Sequence, residues 1–152
     1  MSNLNINLNE GQKKRYTING DESRVLEFNP TDLGMLTRIN EIEPEIMEKL
    51  DQFSDMQDKA DYTDDKQVDE LAKGLKELDT FIRAKLDYLF DTNFSEVCAP
   101  SGTMLDPVGE GMRFTYLIDV FSDLFGDEIS NAVQKRNKQI KKHTTKYTNK
   151  VK

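Results

Sequence analysis

"RYTINGDESRVLEFNPTDLGML", residues 15–36, decides the fold, because its hydrophobic period changes partway through. Tyr16 and Ile18 alternate with polar residues, as do Leu26 and Phe28 after the turn, which is the period of a half-buried strand. Asn19-Gly20 between the two runs suits a tight turn with positive φ, so the segment predicts a hairpin. From "FNPTD" onward the period becomes helical. Asn29 can cap, Pro30 fits a first helical turn, and Asp32 suits the positive end of a helix dipole. Leu33, Leu36, Ile39 and Ile42 follow at spacings of three.

Upstream, Leu4, Ile6 and Leu8 of "LNINLN" alternate with asparagine and predict a further strand. Together these runs predict a three-stranded antiparallel meander with one apolar face, too small to stand without helices over it. A reversible homo-oligomer is expected, through the unpaired backbone groups of its edges or through the aromatic helix near the C-terminus.

Downstream, Pro44 predicts a kink or a fresh helix start. A second stripe follows at Ile46, Met47, Leu50 and Phe53. Asp64 with Gln67 resembles a capping box at the start of the most regular helix. Val68, Leu71, Leu75, Leu78, Ile82, Leu86 and Leu89 mark its face. Gly74 within it costs about 1 kcal/mol relative to Ala, which predicts close approach of another backbone there. "DTNFSEVCAPSGTMLDPVGEGM", 91–112, is irregular, and long ordered loops often carry function. From Met112 a broad stripe of Phe114, Leu117, Ile118, Phe121, Leu124 and Phe125 predicts a last helix, with a break expected at Gly126-Asp127. The fold class is therefore α+β and mainly helical: a small N-terminal three-stranded sheet packed on a bundle of about four helices.

The domain reading is one unit over 1–134, with strands in 3–28 and a helical body over 31–134. A basic tail, 135–152, follows. That tail holds eight Lys and Arg and no acid, whereas 1–134 holds 13 basic and all 28 acidic residues, a net of −15. Helix is expected to about Lys142, where cations suit the negative dipole end, with fraying and partial disorder beyond. Three accounts of the tail stand side by side. It can release counterions from nucleic acid, dock on acidic protein surface, or remain solvated. Tyr147 is the tail's only aromatic and the body is acidic, so protein docking or a solvated end ranks above nucleic acid.

The composition, 36% hydrophobic and 32% charged, suits a soluble domain. The apolar runs are too short to span a bilayer. The start "MSNLNINLNEG" lacks a basic n-region and an apolar h-region, so a cytoplasmic location is expected. Cys98 is the only cysteine, which excludes an internal disulfide; it reads as a structural thiol without an activating base. His143 sits among lysines with nothing to complete a triad or zinc site. "GEGM", 109–112, lacks the Walker lysine and the three-glycine fingerprint. "DKADYTDDKQVDE", 58–70, places Ala60 and Tyr62 where calcium needs oxygen donors. No catalytic residue, metal site or cofactor is assigned. The candidate partner-binding residues are Phe114, Tyr116, Phe121 and Phe125 of the last helix, Phe94 and Met104 of the loop, and Lys141 and Lys142 of the tail. Exposed aromatic patches mark interfaces.

"TINGDESRVLEFNPTDLGMLTRINEI", 17–42, followed by two acidic amphipathic helices and a late aromatic helix, resembles the small tail assembly chaperones of long-tailed phages and prophages of Gram-positive bacteria. The "EFNPTD" junction, 27–32, carries most of the resemblance, which spans roughly 16–130. It implies a non-enzymatic protein of the bacterial host cytoplasm that binds the tape measure protein and gathers tail-tube subunits. It also implies a longer form made by frameshifting near the end of the reading frame, and so a fourth account of the tail, in which codons such as those of Lys141-Lys142 form a run on which ribosomes slip. Another phage structural or adaptor protein, on the capsid side or in tail completion, and a generic helical protein-binding module are the alternatives. An enzyme with unfamiliar motifs ranks third.

Overall fold

The computed structural model describes residues 3–6 and 13–151, with side chains through Lys142. Strand β1, Lys14–Ile18, pairs antiparallel with β2, Asp21–Phe28, placing Tyr16 opposite Leu26. Asn19 and Gly20 both take positive φ, 56° and 69°, as the Asn-Gly turn requires. Asp21 steadies the turn exit by accepting from the Ser23 amide and hydroxyl.

The expected third strand is corrected. Residues 3–6 form no strand, and Leu4 and Ile6 are exposed; Leu8 lies outside the described residues. Alternation makes a strand only where a partner strand and a covering face exist. The sheet is two-stranded among the described residues.

Helix α1 is Gly34–Lys59. It starts later than the sequence suggests because Asn29 accepts from the Thr31 amide and hydroxyl, forming a turn instead of a cap. Asp32 then accepts from the Gly34 amide. Pro44 sits inside the helix without ending it. The proline faces solvent while Ile42 and Ile46 on either side are buried, so packing offsets the lost backbone bond.

Helix α2, Asp65–Phe90, returns antiparallel to α1. Asp64 caps it through the Lys66 amide, as expected, but Gln67 reaches back to the Asp61 amide, so the reciprocal half of the box is displaced. The close backbone expected at Gly74 is corrected: a Cβ there would lie 3.5 Å from both Met56 Sδ and Phe53 Cδ2, so the neighbours are α1 side chains at ordinary contact distance. Tyr88 donates to Glu41, Lys85 pairs with Glu45, and Arg38 donates to the Leu89 carbonyl, lacing the two helices together.

Short helix α3, Phe94–Cys98, lies within the segment read as irregular. The pair β3, Pro107–Val108, and β4, Gly111–Met112, leads into α4, Arg113–Val151. Helix α4 runs through Gly126-Asp127 without a break and past Lys142, where fraying was expected. At 1.5 Å per residue it is about 58 Å long.

The core joins all four helices and the hairpin around aromatic rings. Phe28 stacks on Tyr16 and meets Phe90, Phe121 and Phe125 at centroid distances of 5.3–6.0 Å. Phe90 stacks on Phe94 at 4.0 Å. Among the described residues the fold is mainly helical α+β, with four helices and two small two-stranded antiparallel sheets.

Candidate functional site

The 91–112 segment is the first place the sequence directs attention, and charged side chains hold it closed. Arg83 of α2 pairs with Asp79 at 3.0 Å and donates to the carbonyls of Ser95, Ala99 and Gly102. Asp79 in turn accepts from the Met104 amide at 2.7 Å. Asp87 receives both the amide and the hydroxyl of Ser95 at the start of α3. At the other end of α3, Arg24 of β2 donates to the carbonyls of Val97 and Cys98. Such charge-assisted bonds replace the backbone pairing that an irregular segment lacks.

These clamps determine where the candidate residues lie. Phe94 and Met104 are fully buried, and Phe114 and Phe121 nearly so; all four are core. Phe125 is partly buried, Tyr116 is exposed, and Lys141 and Lys142 are exposed on α4. The structure therefore does not bring the eight residues together on one surface. Cys98 is buried, and burial pushes its thiol up to about 12, in keeping with a structural thiol. The His143 side chain lies outside the described residues.

A different surface emerges where α4 crosses the start of α1. The N-terminal part of α1 and the middle of α4 stand apart, leaving a groove of about 450 Å³. Met35, Leu36 and Ile39 form one wall; Phe125, Ile129 and Val133 form much of the other. Leu89, Phe90 and Phe121 contribute to the lining from the core side. The polar lining residues are Ser122, Ser130 and Gln134, and no lining residue is charged. Leu36 remains 55% exposed. A second hollow of about 510 Å³, between the end of α1 and residues 103–112, is lined partly by Asp51, Gln57 and Asp106 and is more polar.

The groove is suited to apolar side chains at helical spacing, since its walls are themselves two helix faces. It offers no acid, base or cation to a reaction. Among the described residues, no group of three or more His, Cys, Asp or Glu is placed to hold a metal ion. No helix among them is long and apolar enough to cross a membrane. Part of the groove carried a signal in the sequence: Leu36 and Ile39 belong to the stripe read on α1, and Ile118, Phe121 and Phe125 to the broad stripe read on α4. What the stripes did not reveal is which part would stay open. No protein-family model, curated protein or solved structure matches this chain.

Proposed function

We propose that this chain is a tail assembly chaperone of a long-tailed phage or prophage, acting without enzymatic chemistry in the host cytoplasm. In this reading it holds apolar helical stretches of the tape measure protein until tail-tube subunits gather around them. The observation that carries the proposal is the groove between α1 and α4, open, apolar and without a charged lining residue. An amphipathic helix laid there buries its anchors at i, i+3 and i+4 against Leu36, Ile39 and Ile129. The acidic remainder of the body keeps such a complex soluble. The resemblance of residues 17–42 to this family supplies the partner's identity.

The test is co-expression with the tape measure protein of the same phage. The expected result is co-purification and increased solubility of the tape measure protein, both reduced by Leu36→Glu with the helical content unchanged. A tape measure protein that neither co-purifies nor gains solubility refutes the proposal. Capture of a capsid-side component instead would identify an adaptor.

A further inference from the structure

The groove does not end at Ile39 and Ile118. The same two residues also line a smaller hollow of about 210 Å³, with Ile42, Ile46 and Met47 of α1 and Phe114 of α4 among its other walls. Met35, Ile39, Ile42 and Ile46 recur at spacings of four, three and four, so one face of α1 runs along both hollows. Phe114, Ile118, Phe125, Ile129 and Val133 form the matching face of α4, which runs in the opposite direction. The two hollows therefore lie end to end as one trough. From Met35 to Met47 it is about 18 Å long, a little over three turns of a helix laid in it.

Charge divides this trough. The groove end has no charged lining residue, and the charged residues lining the smaller hollow are Glu43 and Asp119, one from each wall. Both are exposed, and neither takes part in an ion pair among the described residues. Two carboxylates around one apolar-walled hollow repel each other, and a cation brought between them turns that repulsion into two attractions.

We propose that the trough takes an amphipathic helix of about three turns that carries Lys or Arg beside the apolar anchor entering the smaller hollow. Its anchors, at spacings of three and four, fill the groove and the hollow, and its cation meets Glu43 and Asp119. A segment with an acid at that place is disfavoured by both carboxylates. The inference rests on the reading of the groove as a helix-binding site, and adds the charge by which one amphipathic segment is chosen over another.

The test is fluorescence anisotropy of three labelled synthetic peptides titrated with the full chain. Each peptide has about 14 residues, with leucines at helical spacing and alanine and glutamine between them. They differ only in the two residues flanking the leucine at one end, which are lysine, glutamine or glutamate. At about 0.05 M salt the lysine peptide should bind about fivefold tighter than the glutamine peptide, and about tenfold or more tighter than the glutamate peptide. At about 0.5 M salt the three affinities should converge. A chain carrying Glu43→Lys and Asp119→Lys should reverse the order. Asp55→Lys with Asp58→Lys makes the same change of net charge at exposed positions toward the end of α1, and should keep the native order. Circular dichroism should be unchanged in both chains. Leu36→Glu should weaken all three peptides about tenfold or more. Failure of every peptide to bind refutes the groove as a helix site, and the inference with it. Binding with equal affinities, or an order that the Asp55 and Asp58 replacements also reverse, overturns the inference alone. A native dimer in sedimentation that Leu36→Glu dissociates and the lysine peptide does not would give the trough to a second copy, and would likewise overturn it.

Discussion

Replacing Arg83 by Met tests whether one guanidinium holds the 95–104 segment to α2. The methionine keeps most of the packing of the arginine stem and removes its donors. Four contacts are lost: the Asp79 carboxylate and the carbonyls of Ser95, Ala99 and Gly102. The Ser95 carbonyl keeps the Ala99 amide, so the unmet demand falls mainly on Ala99, Gly102 and Asp79. Hydrogen bonds to charged groups each contribute about 1.5–3 kcal/mol net, but four sharing one guanidinium are not additive. The side chains of Arg83 and Asp79 are 22% and 16% exposed, so water compensates in part. The expected loss is about 2–4 kcal/mol, measured by urea unfolding. For a chain of this size that corresponds to a fall in Tm of about 5–15 °C. A double-mutant cycle with Asp79→Asn should show coupling above about 1 kcal/mol. A loss under about 1 kcal/mol, with no coupling, refutes the clamp.

Gly74→Ala should stabilise by about 0.5–1 kcal/mol in the same assay, since the added methyl meets Met56 and Phe53 at ordinary contact distance. A loss of stability would show that α1 and α2 pack more tightly at this crossing. The Arg38 hydrogen bond, ahead of the Gly34 amide, holds the Asp32 carboxyl below its ordinary value of 3.8. A depressed folded-state value contributes stability present above the unfolded value and lost as pH falls through the folded one. Native stability should therefore fall relative to Asp32→Asn as pH drops below 3.8; parallel curves would contradict the assignment. Cys98, buried and with its thiol pushed to about 12, should react with thiol reagents at mildly alkaline pH only as fast as the chain unfolds. Rapid labelling of the native protein would place it outside the core.

The sequence disclosed those elements whose cause is local. Asn19-Gly20 dictates its own backbone, and Asp64 its own cap, so the hairpin and the start of α2 were legible. The seven-residue stripe from Val68 to Leu89 marked α2 in the same way. The continuity of α1 through Pro44 was not legible, because Ile42 and Ile46 decide it by packing against other elements. Residues 91–112 have no period, and their order comes from Arg24, Arg83, Asp79 and Asp87, which lie outside the segment. The aromatic stripe of α4 showed that a wide face is apolar. It could not show that Phe114 and Phe121 are covered while the Phe125–Val133 side remains open, because α1 sets that boundary.

The most direct measurement is site-specific photo-crosslinking to a co-expressed tape measure protein. A benzoylphenylalanine in place of Leu36, at the groove wall, should crosslink to an apolar helical segment of that protein. The same probe in place of Tyr62, an exposed residue between α1 and α2, should not. Crosslinking from position 62 with none from position 36 would contradict the assignment of the groove as the binding site.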